Sequence, residues 1–412
     1  MGDKKLTSYP KEKINILFLE NISEAATKHF LQSGYTNIKK IKGALNEDSL
    51  IKEIKNVHLL GIRSKTQLTP AVLQAAKKLQ AIGCFCIGVN QVDIDCATEQ
   101  GIAVFNAPYS NTRSVAELVI GAAIMLMRKI VDKNKAAHEG TWLKDAGGSF
   151  ELRGKTLGII GYGNIGSQVS VLAEALGMKV IFYDTETKLP LGNASDSKSL
   201  KELLGVADVV TVHVPDLPST KNLISKTSLS WFKKGSIMIN YARGEVADLK
   251  ALRNALVSGH IGGAAVDVYP VEPENNGDSF ETPLQGLSNV LLTPHIGGST
   301  QEAQNNIGLD VSNKLYNYLE KGISIGSHSI PALALPPQEG THRLLHIHNN
   351  VPGVLSQINT LLSENKINIL AQYLKTNEQI GYVVLDIDRH LSKNALELIK
   401  GVKETIKVRL LY

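Results

Sequence analysis

The sequence predicts an α/β protein in which two doubly wound parallel sheets are followed by a smaller ferredoxin-like part. Short apolar runs alternate with amphipathic stretches as far as about residue 330, which is typical of parallel sheets covered by helices. A glycine-rich turn at residues 161–166 directly follows one of these apolar runs. After a proline-rich break at residues 332–340 (ALALPPQEG), the order of elements changes to β-α-β-β-α-β.

The first series of elements extends from Lys13 to about Asn106. Its predicted strands are residues 15–20, 59–63, 79–84 and 103–105, and its predicted helices are residues 23–32 and 70–77. A long apolar helix follows at residues 114–128, where Ser114 with Glu117 three residues later matches a capping box. Its nearly continuous apolar character predicts that this helix is buried.

The second and third series complete the chain. The second has predicted strands at residues 156–160, 179–183, 209–213, 236–240, 264–267 and 290–293, with helices after the glycine-rich turn and at 200–204, 249–258 and 301–320. The third has predicted strands at residues 342–349, 367–376, 379–388 and 406–412, with helices at 352–364 and 393–402. Pro352 would occupy the first position of its helix, where proline is well tolerated.

Composition excludes several classes of protein. Hydrophobic residues make up 43% of the 412 residues, so the chain can bury large cores. The 44 Lys and Arg exceed the 39 Asp and Glu by only 5, which suits small anionic ligands and does not indicate a nucleic-acid partner. The longest apolar run is too short to span a bilayer. With 3 cysteines and no signal or myristoylation pattern, we expect a soluble cytoplasmic protein without a membrane partner.

The glycine-rich turn GYGNIG stands between a predicted strand and a predicted helix, as dinucleotide binding requires. Gly161 permits the tight turn, Gly163 lets backbone amides approach a pyrophosphate, and Gly166 lets the helix pack closely on the sheet. Asp184 ends the next strand, where its carboxylate can accept hydrogen bonds from ribose hydroxyls and repel a 2′-phosphate. We expect NAD rather than NADP as the cofactor, in preference to a purely structural turn.

Arg243, Glu272 and His295 each follow a predicted strand of the second series, where ligands bind in open α/β sheets. A histidine backed by a carboxylate can accept a hydroxyl proton at neutral pH. An arginine can hold a substrate carboxylate through two hydrogen bonds. Each residue alone would be an ordinary loop residue. Together, downstream of a dinucleotide turn, they predict hydride transfer from a 2-hydroxy acid.

Several segments together resemble the D-2-hydroxyacid dehydrogenases, and the resemblance extends from about Lys13 to Tyr412. The segments are residues 105–121, 161–166, 240–244, 263–273, 293–300 and 371–374. The resemblance implies that Arg243 binds the substrate, that His295 is the acid/base and that Glu272 supports it. It also implies that NAD is contacted by Asn164, Ile165, Asp184, Tyr241, Ala242, Arg243, Asp267, His295, Gly297 and Gly298. At Tyr241 and Glu245 the family usually has small or hydroxyl-bearing residues.

The resemblance implies a domain layout as well. A Rossmann-like substrate-binding domain would be discontinuous, formed by residues 1–107 and 299–337. A Rossmann-like NAD-binding domain would occupy residues 108–298, and an ACT regulatory domain residues 338–412. The cleft between the first two domains would close over the substrate. The resemblance further implies a homo-oligomer, with a tetramer as the expected state.

The branch of the family that the chain resembles oxidises 3-phospho-D-glycerate to 3-phosphohydroxypyruvate, the first step of L-serine biosynthesis, and the resemblance leaves open a reduction of 2-oxoglutarate. A substrate with a phosphate and a carboxylate needs more than one basic group. Arg63 is the favoured candidate because arginine at the end of an apolar strand is poorly explained by solvation. Ser64 directly follows Arg63 and is a candidate with it. Other candidates are Lys42, Lys65 and Lys144, for which a solvated surface position is at least as plausible, and Asn111, for which a loop position is equally plausible.

His346 and His348 share one face of a predicted strand, but no carboxylate or cysteine cluster joins them, so we expect no metal site. The resemblance to ACT domains implies that His348 and Asn350, with Asn368 of a neighbouring subunit, bind free L-serine. The alternative is an ordinary strand histidine and loop asparagines.

Two other functions remain open at this point. One is a general D-2-hydroxyacid dehydrogenase acting on a substrate such as lactate or glyoxylate. The other is a non-enzymatic NAD-sensing protein of the corepressor type. The combination of Arg243, Glu272 and His295 with an amino-acid-binding tail disfavours both.

Overall fold

The structure is a computed structural model that describes residues 9–273 and 277–412. The chain divides into two compact units, one formed by the segments up to Ser110 and from Gln304 to Tyr412, the other by Asn111–Ala303. The first unit therefore combines the segments that the sequence assigns to the substrate-binding and ACT domains. In the described part of the chain, no helix has the length and apolar character needed to cross a membrane.

The first sheet is parallel, with strand order β2-β1-β3-β4-β5. Its elements are β1 Ile16–Phe18, α1 Glu24–Gln32, β2 Ile38–Lys40, α2 Glu47–Ile54, β3 Leu59–Ile62, α3 Pro70–Ala75, β4 Ala81–Cys84, α4 Ile94–Glu99 and β5 Ala103–Asn106. The direction of winding reverses at β1, because β2 lies on one side of it and β3 on the other. Such a reversal opens a crevice at the carboxyl ends of the strands, where ligands bind in open α/β sheets.

The second unit contains a seven-stranded parallel sheet with strand order β12-β11-β10-β9-β6-β7-β8. Its elements are α5 Thr112–Met127, α6 Ile130–His138, β6 Thr156–Ile160, α7 Asn164–Ala175, β7 Lys179–Tyr183, β8 Ser195–Asp196, α8 Leu200–Val206, β9 Val209–Val212, α9 Lys226–Leu229, β10 Ser236–Asn240, α10 Leu249–Val257, β11 Ile261–Val266 and β12 Val290–Leu292. Winding reverses between β6 and β9. The glycine-rich turn, which follows β6, therefore lies at the ligand-binding crevice of this sheet.

The chain ends in an antiparallel sheet of order β14-β15-β13-β16. After α11 Gln301–Lys321, its elements are β13 His342–Asn349, α12 Val354–Glu364, β14 Ile369–Thr376, β15 Ile380–Ile387, α13 Ser392–Lys400 and β16 Thr405–Leu411. This is the predicted β-α-β-β-α-β order. The predicted fold class, with two parallel Rossmann-like sheets and a separate ferredoxin-like sheet, is confirmed.

The antiparallel sheet shares its core with the first parallel sheet. Leu345 and Tyr382 belong to one buried cluster with Phe105 and Tyr318. Arg343 is fully buried, pairs with Asp386 through two nitrogens at 2.7 and 2.8 Å, and also donates to the carbonyl oxygens of Lys321 and Pro336. A buried pair of this kind is costly to break. The proline-rich segment is thus attached to the sheet and does not act as a free linker.

Two predicted helix starts are wrong. Ser114 does not cap α5, which begins at Thr112; its hydroxyl instead lies 2.8 Å from that of Thr300. Pro352 does not begin α12, because Gly353 takes a left-handed φ of +91° and the helix starts one residue later. The capping pattern at Ser114 is therefore overridden by the contact with Thr300, and the proline pattern at Pro352 by the left-handed turn at Gly353.

Candidate active site

The glycine-rich turn has the geometry of an anion-binding helix start. Gly161 has a φ of +91°, and a Cβ there would lie 2.5 Å from the carbonyl oxygen of His213. A Cβ on Gly166 would collide with the carbonyl oxygen of Gly161. Around Gly163, by contrast, a Cβ would meet nothing within 4 Å, and this residue caps the N-terminus of α7. Open space in front of free amides at a helix start suits a pyrophosphate.

Asp184 lies just after β7 and takes part in the same turn. Its Oδ2 accepts a hydrogen bond of 2.8 Å from the amide of Tyr162, and its Oδ1 accepts one of 3.0 Å from the amide of Glu186. The Tyr162 ring is buried and stacks on Phe182 at 4.0 Å. The carboxylate is therefore held in place beside the turn, with acceptor capacity left for ribose hydroxyls.

The loop that carries His295 is held by Asp267, which follows β11. The buried Asp267 carboxylate accepts hydrogen bonds from the Thr293 hydroxyl at 2.6 Å and from the amides of Ile296 and Gly297 at 2.8 and 2.7 Å. Its carbonyl oxygen accepts a further bond from the His295 amide. His295 has a φ of +54°, a left-handed conformation that costs about 1–3 kcal/mol in a residue other than glycine. Asp267 offsets that cost.

His295 and Glu272 form a hydrogen-bonded pair, with Nδ1 and Oε2 separated by 2.7 Å. The hydrogen bond to Glu272 raises the pKa of His295, and this outweighs burial and the nearby charge of Arg243. Burial alone would raise the pKa of Glu272, but hydrogen bonds from His295 and the Tyr269 amide lower it overall. With Nδ1 facing a carboxylate, Nε2 is the ring nitrogen left to exchange a proton with a ligand.

Arg243 follows β10 and is exposed. Asn240, fully buried at the end of that strand, accepts from the Ala242 amide at 3.1 Å and donates to the Arg243 carbonyl oxygen at 3.0 Å. The loop is therefore fixed by Asn240, which is not among the predicted site residues. The signal was available, because an asparagine that ends a strand directly after three apolar residues needs a buried partner.

Tyr241 was predicted to contact the cofactor, but its side chain is 5% exposed and packs in the core of the second unit. Its bulk, which differs from the small residue usual in the family, is therefore accommodated in that core. Glu245, the other departure, pairs with Lys221 at 3.4 Å. Neither residue displaces Arg243 from the end of β10.

The remaining predicted substrate residues divide between the two units. In the first unit, the half-buried Arg63 and the exposed Ser64 follow β3, and the exposed Lys42 lies after β2. In the second unit, the Asn111 amide packs against Gly298, in the segment after His295. The last candidate, Lys144, is exposed in the stretch between α6 and β6.

The predicted effector residues lie on the antiparallel sheet. His348 is buried, and its ring stacks at 5.3 Å on that of His346. Asn350 is exposed and donates to the Asn377 carbonyl oxygen at 2.7 Å. Asn368 is exposed just before β14. Across the described ranges, no cluster of three or more His, Cys, Asp or Glu could hold a metal ion.

Comparison with known proteins relates this geometry to characterised sequences and structures. Residues 120–297 match the family described as D-isomer specific 2-hydroxyacid dehydrogenase, NAD binding domain. Residues 344–408 match the AHAS small subunit-like ACT domain. The predicted cofactor, NAD, is thereby confirmed.

Full-length relatives are also found. The chain is 53% identical over 407 residues to D-3-phosphoglycerate dehydrogenase of Escherichia coli K12, covering 98% of this chain and 99% of the relative. It is 50% identical over 406 residues to the Dictyostelium discoideum protein of the same name, with the same coverage. Among solved structures, D-lactate dehydrogenase of Aquifex aeolicus is 26% identical, with a TM-score of 0.65 over 77% of this chain and 100% of that one.

Proposed function

The chain belongs to the family of D-isomer-specific 2-hydroxyacid dehydrogenases, and we propose that it oxidises 3-phospho-D-glycerate to 3-phosphohydroxypyruvate in L-serine biosynthesis. One observation carries the proposal. His295, backed by Glu272 and within electrostatic reach of Arg243, lies at the carboxyl edge of an NAD-binding sheet. Relatives named D-3-phosphoglycerate dehydrogenase that match the chain over 98% of its length support this choice of substrate.

The chemistry divides between the bound cofactor and the side chains. NAD, when bound, accepts the hydride that leaves C2 of the hydroxy acid. Nε2 of neutral His295 accepts the proton of the C2 hydroxyl, and the Glu272 carboxylate stabilises the imidazolium that forms. The Arg243 guanidinium binds the substrate carboxylate through two hydrogen bonds.

We propose the following cofactor contacts. The amides of Asn164 and Ile165 at the start of α7 face the pyrophosphate, and Asp184 accepts from the ribose hydroxyls. The open space around Gly163 is what allows this approach. Ala242, Gly297 and Gly298 contact the cofactor through their backbone, and Asp267 supports that segment through the bonds described above.

The phosphate of the substrate is proposed to bind to basic and polar groups, for which the candidates are Arg63, Ser64, Lys42, Lys144 and Asn111. A second carboxylate could take the place of the phosphate at such groups. On that basis we also propose reduction of 2-oxoglutarate to 2-hydroxyglutarate as a side activity, since its 2-oxo acid end matches the product of the main reaction.

L-serine is proposed as a feedback inhibitor bound at His348 and Asn350, with Asn368 contributed by a neighbouring subunit. Asparagine amides can both donate to a carboxylate and accept from an ammonium, as recognition of a free amino acid requires. The ACT match over residues 344–408 supports this assignment. A cytoplasmic homotetramer is the proposed working form.

A spectrophotometric assay of NADH formation with 3-phosphoglycerate tests the proposal, with D-lactate as the matched non-phosphorylated substrate. We expect turnover with 3-phosphoglycerate and inhibition on addition of L-serine. Turnover of D-lactate alone would identify a general 2-hydroxyacid dehydrogenase. Binding of NAD without turnover of either acid would favour a sensing role.

A further inference from the structure

Glu20 lies at the reversal point of the first sheet, outside the residues proposed above to bind the substrate or the cofactor. It follows β1, is 7% exposed, and has a φ of +59°. The next residue, Asn21, has a φ of +54°. Two consecutive left-handed residues, neither of them glycine, are an unfavourable backbone conformation that persists only where surrounding contacts enforce it.

The Glu20 carboxylate supplies those contacts by binding the loop after β3. Its Oε1 accepts hydrogen bonds from the amides of Arg63 at 3.1 Å and Thr66 at 2.9 Å, and its Oε2 accepts from the amide of Lys65 at 3.0 Å. Three amides that converge on one anion make a strong, charge-assisted arrangement. Three amides of the loop are therefore bound by one side chain 43 to 46 residues away in the sequence.

Two further bonds extend this arrangement. The Glu20 amide donates to the carbonyl oxygen of Gly43, which is next to Lys42 in the loop after β2. The carbonyl oxygen of Arg63 accepts a hydrogen bond of 2.6 Å from the side chain of Gln91. The backbone of Arg63 is thus fixed on both sides, and the loops after β2 and β3 are joined through Glu20.

We propose that Glu20 is a positioning residue for substrate binding. It holds the loop backbone from within, so that the side chains of Arg63 and Ser64 are presented at the crevice between β1 and β3, where the winding of the sheet reverses. This inference rests on the proposed function, in which Arg63 and Ser64 bind the phosphorylated end of the substrate. Glu20 itself does not contact the substrate.

The test is the variant Glu20→Gln, assayed in the full-length protein with 3-phosphoglycerate. Glutamine preserves the shape of the Glu20 side chain but has one acceptor oxygen in place of two. Its NH2 group would face a backbone N–H of the loop, which needs an acceptor. Loss of a charge-assisted bond of this kind should raise KM for 3-phosphoglycerate about tenfold. We expect kcat and the Kd for NAD to stay close to those of the natural protein, because Glu20 lies in the unit that does not contain the dinucleotide turn.

Ser329→Ala is the matched control for a purely structural loss. The buried Ser329 hydroxyl accepts from the Val104 amide at 3.0 Å and donates to the Ile102 carbonyl oxygen at 2.6 Å, at the amino-terminal end of β5 in the same unit. This variant should lower the melting temperature without a change in KM. A KM for Glu20→Gln that equals the natural one, in a protein that turns over 3-phosphoglycerate, overturns the inference.

Coupling to Arg63 completes the test. If Glu20 acts through Arg63, the double variant Glu20→Gln with Arg63→Ala should raise KM by much less than the product of the two single effects. Independent effects that multiply would contradict a positioning role. If Glu20→Gln does not fold, the same KM measurement on Glu20→Asp tests the inference. Aspartate keeps both carboxylate oxygens but is one methylene shorter, so the oxygens lie farther from the loop amides. Failure of the natural protein to oxidise 3-phosphoglycerate would instead overturn the proposed function.

Discussion

The loop that carries His295 and the loop that carries Asn350 differ in how many of their polar groups are paired in hydrogen bonds within the chain. Around His295, the Asp267 carboxylate accepts three bonds and Glu272 holds the ring. Around Asn350, the exposed side chain makes a hydrogen bond to a backbone carbonyl, and the buried Nε2 of His348 has no partner among the described residues. The first loop is organised before a ligand arrives, whereas the second combines an exposed amide with a buried ring nitrogen that lies against Gly381.

His295→Ala is expected to have the largest effect on the first loop. It removes the proton acceptor and leaves the Asp267 bonds to the backbone in place, so turnover should fall by about 10²–10⁴-fold while NADH binding is kept. Steady-state kinetics with a fluorescence titration of NADH measure both. Full activity in this variant would mean that another group transfers the proton and that the loop is organised for a different purpose.

Asn350→Ala tests the second loop. Because this side chain is exposed and its bond to Asn377 is local, we expect a loss of serine affinity of about tenfold with little change in KM or kcat. Calorimetric titration of L-serine alongside the activity assay provides the measurement, and Asn377→Ala serves as a control that alters the turn without the Asn350 amide. Unchanged inhibition by serine would place the effector site elsewhere.

Glu272→Gln sharpens the comparison through pH dependence. Since the hydrogen bond to Glu272 raises the pKa of His295, its loss should lower that pKa. Oxidation needs neutral His295, so the rising limb of the oxidation rate against pH should move to lower pH. The maximal rate should fall by about tenfold or less, because glutamine can still accept from Nδ1. A profile with an unmoved rising limb would show that Glu272 does not control the titration.

The smallest expected effect concerns His346, whose ring lies beside His348. Burial, with a smaller contribution from His348, lowers the pKa of His346 to about 3. The unfolded chain, with an ordinary pKa of about 6.5, binds more protons between these values, so this contribution to stability is complete above pH ~6.5 and decreases as pH falls towards 3. His213 in the second unit titrates in the same window.

The measurement that isolates His346 compares melting temperatures of the natural protein and His346→Gln from pH 7 to pH 4. The melting temperature of the variant should fall less on acidification than that of the natural protein. The reason is that unfolding of the variant takes up as much as one proton fewer. Parallel curves for the two proteins would show that His346 does not titrate on unfolding.

The ACT sheet is attached to the first parallel sheet through a shared core, and this affects how serine control can be tested. A truncation after Gly340 looks like a clean way to remove serine control if residues 332–340 are a free linker. In the structure it would uncover Phe105 and Tyr318, which pack against Leu345 and Tyr382. We therefore expect such a truncation to destabilise the first unit, and point substitutions are the sharper experiment.

Elements and turns whose signal lies within a short stretch of the chain could be predicted from the sequence. The strands at 156–160, 179–183, 236–240 and 342–349 were predicted with their observed bounds. The first three are runs of mostly apolar residues buried in a sheet, and the fourth follows the proline-rich break and contains Leu344, Leu345 and Ile347. The glycine-rich turn, followed by Asp184, was sufficient to predict NAD, since the motif and its neighbouring elements lie within about 30 residues. The short, exposed strand β2 and the polar helix α6 were missed, because neither carries an apolar period.

The side chains that hold the functional loops could not be predicted, because their partners are distant in the sequence. Glu20 reaches the amides of residues 63–66, Asp267 reaches those of residues 296 and 297, and Arg343 joins the ACT sheet to Lys321 and Pro336. Each of these contacts joins segments that are adjacent in the folded sheets but separated in the sequence. Periodicity reports whether a residue is buried, but the partner that a buried polar group finds depends on strand order, and strand order is set by packing over the whole unit.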